Sequence, residues 1–306
     1  MIQTNFDYQS CVKASEKIAW KLDEVFPPDL KLDFNRRFLP EALSPTAGLT
    51  FLSAGEQTKL NQIAGNAYLY IFYFVEEYII ASVLQHAQAE LFGDDGALRA
   101  LLRFADEEVK HQQLFQRFRQ AFTRDFGHPC GVIDDPQAVA EVILSKSPMA
   151  VLLTTLHIEL MTQQHFQEGY REDGASALDP FFASLLKNHW LEESQHAKID
   201  ALELQKLARS AQPTQIGTAI ADYLAILGAF AGLLGRQAEL DAESLATATG
   251  RTFTESEKAA IVAAQTRSYR HTFLATGIKN PMFQKYLEQF SPSGHGLVMA
   301  QADALS

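Results

Sequence analysis

The chain has 306 residues, 47% hydrophobic and 21% charged, which is enough apolar content to bury a full core. Its net charge of −11, with no Lys/Arg cluster interleaved with aromatics, argues against a nucleic-acid partner, because a phosphate backbone would be repelled. Cys11 and Cys130 are too few for a disulfide framework or a thiolate metal site, so any metal must be held by nitrogen and oxygen.

The first twenty residues, MIQTNFDYQSCVKASEKIAW, lack a basic segment followed by an apolar core, and a cytoplasmic location is expected. An amphipathic helix is predicted from about Tyr8 to Val25, followed by an irregular stretch from Pro27 and Pro28 to Leu52. Ser53 and Glu56 form a capping box for a long helix reaching about Leu91. Its segment from Ala67 to Leu84 is apolar enough to pass for a membrane span, but Glu76 and Glu77 at its centre suit a buried helix with functional carboxylates better.

Asp95 is expected to cap the next helix, which carries FADEEVKHQQLF and ends near Gly127. A short helix follows, and Ser147 and Pro148 then open one that contains TTLHIELMT and ends near EDGAS. Asp179 and Pro180 start a fourth long helix, which carries HWLEESQH. Beyond Pro213 the pattern predicts a helix to about Gln237, another from Thr254 to Ala275 with a capping box at Thr254 and Glu257, and a last one after Pro281, with a tail fraying after Ser291. Strand patterns are almost absent, so the fold class is all-α. A single domain over 1–306 is expected, with core helices at about 53–211 and accessory helices at 8–25 and 213–290.

In HWLEESQH, His189, Glu193 and His196 occupy positions i, i+4 and i+7, a stripe about 60° wide on one helix face. Glu193 and His196 also form a Glu-x-x-His pair, and Glu108 and His111 repeat that spacing on a different long helix. A di-iron carboxylate bundle needs one such pair from each of two helices and a carboxylate from each of two others. Glu77 on the helix before the first pair and Glu159 on the helix before the second complete the set. Any one of these pairs alone reads as an ordinary solvated helix face; two pairs with two carboxylates in apolar settings do not.

Glu76 and Glu107 each neighbour a chosen ligand and are rotated by about 100° from it, so one of each pair is expected to face water. Glu192 is read as a non-ligand for the same reason. His86, His157 and His165 are read as structural or surface residues. Asp200, one turn after His196, is a candidate acceptor for its imidazole N–H. Tyr70, Tyr73, Phe74, Phe104 and Phe115 are candidate pocket walls.

These motifs resemble the ferritin-like di-iron carboxylate proteins. Ferritins are much shorter, and Phe115 stands where the ribonucleotide reductase small subunit carries its radical tyrosine. HWLEESQH resembles the motif of the arylamine N-oxygenases, typified by p-aminobenzoate N-oxygenase, in which a histidine four residues before the Glu of the second pair is a seventh ligand. EEYIIA, DEEVKH and HIELM match around the other ligands. The resemblance implies a ferritin-like four-helix bundle with added N- and C-terminal helices. It assigns one iron to Glu77, Glu108 and His111 and the other to Glu159, His189, Glu193 and His196, with manganese as an alternative in one or both positions.

The implied activity is an O2-dependent oxygenase acting on a small organic molecule, by resemblance at an amine nitrogen. Hydroxylation, desaturation or oxidative cleavage at carbon is the first alternative, and a non-catalytic metal-binding helical protein the second. No Gly-x-Gly-x-x-Gly motif is present, so electrons are expected from an external donor. No membrane partner is expected. The apolar ADYLAILGAFAGLLG helix and the resemblance together suggest a homodimer.

Overall fold

The computed structural model describes residues 2, 4–133, 135–167 and 177–305. Helix dominates, and no strand occurs among the described residues, where a lone parallel bridge joins Arg37 to Leu178. The fold is all-α.

The first predicted helix is two helices, α1 (Tyr8–Ile18) and α2 (Leu22–Val25). The backbone leaves helical geometry at Ala19, with ψ of 128°, and Trp20 donates its indole N–H to the Asn188 carbonyl at 3.0 Å. The long helix α3 (Ala54–Ala89) begins at the expected capping box, with Glu56 accepting from the Ser53 N–H at 2.7 Å. Asp94, not Asp95, caps α4 (Asp95–Phe126): its carboxylate accepts the N–H groups of Gly96 and Ala97. Asp95 sits in the first turn, where a negative charge complements the helix dipole. Gly127, at φ 84°, closes the helix in the left-handed conformation that glycine adopts without strain.

After α5 (Pro136–Leu144), α6 (Pro148–His165) starts where predicted. Its predicted end at EDGAS lies outside the described residues. Asp179 caps α7 (Pro180–Ser210) by accepting from the Phe181 and Phe182 N–H groups. The helix α8 (Pro213–Thr249) runs past the predicted stop at Gln237, because no helix breaker intervenes before Gly250, which closes it at φ 63°. The Thr254–Glu257 capping box opens α9 (Glu255–Arg270), which passes through a π-helical turn at His271–Ala275 into α10 (Thr276–Lys279). Two more helices, α11 (Pro281–Phe290) and α12 (Pro292–Leu305), follow. The predicted fraying after Ser291 does not occur, because Val298 and Ala302 of α12 are fully buried.

The four long central helices pack as two pairs, α3 along α4 and α6 along α7, with α4 also meeting α7 and α3 meeting α6. Across their interface α1 touches both α4 and α7, and α8 covers α3 and α6. Both α3 and α8 are long and apolar enough to cross a membrane by length and composition. Of their most apolar windows, 72% is buried in α3 but only 33% in α8, so α3 is a core helix while α8 turns much of its apolar surface outward.

Helix α10 approaches α6 closely at Gly277, where an added Cβ would overlap the His157 ring and sit 2.9 Å from its carbonyl oxygen. The ring cannot easily yield, being buried and held by the Tyr223 hydroxyl at 2.7 Å. Gly277→Ala is therefore expected to destabilise the fold by about 1–3 kcal/mol. An unchanged denaturation midpoint would contradict this packing.

Candidate metal centre

Helix phase decides which glutamate of α3 reaches the interior. Glu76 shares its stripe with Leu69, Phe72, Ile79 and Val83, all buried, and is itself 2% exposed. Glu77 follows the outer stripe toward Leu84, which is 46% exposed, and is only partly buried. The α3 carboxylate at the site is thus Glu76, and Glu77 lies outside the cluster. The other six predicted ligands, Glu108, His111, Glu159, His189, Glu193 and His196, are all buried and converge.

They form two groups that share Glu193. Glu76, His111, His189 and Glu193 make one; Glu108, Glu159, Glu193 and His196 make the other, with the ligand atoms of each group within 4.8 Å of one another. Glu193 reaches both sides: Oε1 lies 2.8 Å from His189 Nε2 and 3.1 Å from His111 Nδ1, and Oε2 lies 3.1 Å from His196 Nδ1. Glu108 does the same, with Oε1 at 2.9 Å from His196 Nδ1 and Oε2 at 3.5 Å from His111 Nδ1. Two carboxylates therefore face both halves, with Glu76 at one end and Glu159 at the other.

His189 joins the Glu76/His111 half, not the half of Glu159 and His196 that the resemblance implied. Antiparallel packing explains the difference. Phe104 stacks on His196, Phe115 meets His189 and Phe118 meets Phe182, so advancing along α4 means retreating along α7. That register places His111 beside His189, with ring centroids 4.6 Å apart.

The same register makes the residue preceding each ligand glutamate a partner for the opposite helix. Glu192 on α7 accepts from His111 Nε2 at 2.8 Å, and Glu107 on α4 accepts from His196 Nε2 at 2.9 Å. Each outer carboxylate holds one ring nitrogen and so turns the other, Nδ1, inward. Glu192 also takes a hydrogen bond from Lys110, whose ammonium lies 4.1 Å from the Trp20 ring centroid. Glu107 takes hydrogen bonds from Ser15 of α1 and from Gln195. Asp200, the candidate partner of His196, does not receive its N–H; Glu107 does, and Asp200 Oδ2 is buried without a hydrogen-bond partner. Glu107, left open by helix spacing, and Glu192, read as a non-ligand, are both buried, and the repeated Glu-Glu-x-x-His pattern carries both in plain view.

Of the candidate pocket walls, Phe104 lies 3.9 Å from the His196 ring and Phe115 lies 5.0 Å from His189. Phe72 and Trp20, not singled out in the sequence, flank His189 and His111. Tyr70 instead lies under Arg119, Tyr73 stacks on Tyr70, and Phe74 packs against Phe230 of α8. His157 and His165 are buried on other partners, Tyr223 and Tyr68, and the partly exposed His86 binds Glu203, as expected of structural or surface residues.

The electrostatics suit a cation. Burial pushes the Glu76 carboxyl well above the usual range, reinforced by neighbouring Glu108. Burial also opposes charge on Glu108, but His111 and His196 more than offset it and hold that carboxyl low. Both of those imidazoles are raised well above 6.5, because their glutamate partners outweigh burial. His189 is lowered by burial and by the other two rings. Glu107 is brought down to about 2: burial opposes this, but His196, Ser15 and Gln195 prevail.

Both oxygens of Glu76 and of Glu108, Glu159 Oε2, Glu193 Oε1 and His111 Nδ1 are buried without hydrogen-bond partners. Buried polar atoms are rarely left so. The four carboxylates and three imidazoles that converge here, these orphaned atoms among them, fit two divalent cations, whose charge would balance that of the carboxylates. Neither a scan of protein-family models nor a search of curated proteins finds a match to this chain. The reading of the site rests on its own geometry.

Proposed function

We propose that the chain is a non-haem di-metal oxygenase of the ferritin-like class, with two iron ions, or manganese in one or both positions, acting on a small organic molecule. The observation that carries this reading is the pair Glu108 and Glu193, each of which turns its two oxygens to histidines of different halves. One ion would take Glu76, His111 and His189, the other Glu159 and His196, with Glu108 and Glu193 between them. The bound ions would supply the redox chemistry for reducing O2, with electrons from an external donor. Glu107 and Glu192 keep the imidazoles aimed inward, and Phe72, Phe104, Phe115 and Trp20 keep bulk water out.

By resemblance, the acceptor is an amine nitrogen, and oxidation at carbon is the alternative. We place the protein in the cytoplasm as a homodimer, for which the outward apolar surface of α8 is the support. Sedimentation equilibrium tests the dimer; a monomeric mass rejects it.

Anaerobic loading with Fe(II), metal counting and admission of O2 test the centre. Two ions per chain and a transient visible absorption that depends on O2 are expected. Fewer than two ions in the folded chain rejects the di-metal site, and two ions without any O2-dependent change leaves a binding protein. Arylamines and carbon substrates then separate the two chemistries. Glu77→Gln is expected to keep both ions, whereas Glu76→Gln weakens the site it shares with His111 and His189 by about 10–100-fold or more. The reverse order would restore Glu77 as the ligand.

A further inference from the structure

The polar stripe of α7 does not stop at His196. Asp200 and Glu203 extend it at i+4 and i+7, and both are 1% exposed. Two buried carboxyl groups in series along one helix are costly unless they are used. Glu203 is well partnered and leads outward: its Oε1 accepts from the Tyr8 hydroxyl at 2.6 Å, and its Oε2 lies 3.0 Å from His86 Nδ1. The His86 side chain is 13% exposed, so this end touches solvent. At the inner end, Asp200 Oδ2 and the Tyr78 hydroxyl are both buried without partners, and the charges of Glu108, Glu193, His196 and Glu203 all act on Asp200. Asp200 and Glu203 stand three residues apart on one helix, a separation of about 5–6 Å between Cβ atoms that carboxyl side chains can span.

We propose that Glu203 and Asp200 carry protons from the surface at His86 to the Glu108/Glu159/His196 side of the metal centre. The purpose of this line rests on the oxygenase reading; its test does not. Inserting one oxygen atom of O2 into a substrate and releasing the other as water takes up two electrons and two protons. The electrons come from the external donor, a reduced redox protein or soluble reduced cofactor. The protons must cross a core that excludes water. In the line, Asp200 first gives up its own proton toward the centre, its O–H bond breaking; the His86 Nδ1–H bond then breaks as an O–H bond forms on Glu203 Oε2, Glu203 passes that proton to the vacated Asp200 carboxylate, and His86 recovers one from solvent at its other ring nitrogen. Burial favours the neutral, proton-carrying form of Asp200. The groups facing the line are Tyr8 of α1, Tyr78 and His86 of α3, Glu108 of α4, and Glu193 and His196 of α7.

Infrared spectroscopy of the full chain loaded with redox-silent Zn(II) reads the line without turnover. Asp200→Asn identifies the protonated Asp200 carbonyl band by its loss. On transfer to D2O, the deuterium shift of that band is expected to slow by at least about tenfold in Glu203→Gln, and to stay near the wild-type rate in Glu203→Asp, which keeps an acid. His86→Gln, outside the core, is expected to slow it in the same sense. Exchange at the wild-type rate in Glu203→Gln or His86→Gln overturns the proposal, as does a spectrum that Asp200→Asn leaves unchanged. An iron-loaded chain inert to O2 would reject the oxygenase reading alone.

Discussion

Metal analysis of Glu193→Ala is expected to find both ions lost, and that of Glu159→Ala only one. Glu193 belongs to both ligand groups, with Oε1 facing His111 and His189 and Oε2 facing His196, whereas Glu159 belongs to one. A structural ion held by about four protein groups gains on the order of 10–16 kcal/mol, so one anionic ligand accounts for roughly 3–4 kcal/mol at each ion. That corresponds to a weakening on the order of a hundredfold to a thousandfold at both positions for Glu193→Ala. Competition titration with a chromophoric chelator measures it. Retention of one tightly bound ion in Glu193→Ala would mean that the two halves do not share this carboxylate.

Stability is expected to fall with rising pH in the metal-free chain and to hold level in the metal-loaded one. In the metal-free chain His111 and His196 bind protons more tightly than unfolded imidazoles do. The stability they confer is complete below about pH 6.5 and is lost as pH rises through their folded values. Glu76, whose carboxyl is also raised, adds to the loss, because the unfolded chain releases that proton first. His189 acts the other way, disfavouring the fold at acid pH, but that effect has ended above about pH 6.5. The metal-free chain should therefore weaken from about pH 6.5 upward, by up to about 1.4 kcal/mol per pH unit for each retained proton. Bound cations displace those protons, so above about pH 6.5 neither the loaded fold nor the unfolded chain holds them, and the loaded chain keeps a level stability over the same range. Urea midpoints across that range decide it; a metal-free chain that strengthens as pH rises would refute the charge assignment.

Much of this was legible in the residues. The two Glu-x-x-His pairs and Glu159 required only helical spacing, and the caps at Ser53, Asp179 and Thr254 follow local chemistry that the structure reproduces. The choice between Glu76 and Glu77 needed the phase of the whole helix. Leu69, Phe72, Ile79 and Val83 mark the buried stripe, but the Glu77 side also carries Tyr70 and Tyr73, so both faces read as apolar. Neither Glu107 nor Glu192 is a ligand, but their hold on the opposite imidazoles was hidden for a deeper reason. A carboxylate rotated away from its own helix's ligand stripe can still face the neighbouring helix, and only the α4/α7 register shows that it does. The placement of His189 depends on the same register and was equally invisible to spacing within one helix.

The crossed pairs His111–Glu192 and His196–Glu107 also govern when the centre can come into being. The partners are separated by 81 and 89 residues, so neither bond can close until the chain has been made as far as α7. Closing loops of that length is slow relative to forming the helices themselves. Because the two bonds run reciprocally between antiparallel helices, sliding α7 by one turn against α4 would break both together. A nascent chain halted before α7 would hold half of each pair and only part of either ligand group. Any metal captured by these groups would thus arrive late in the life of the molecule, only after α4 and α7 have met in the right alignment.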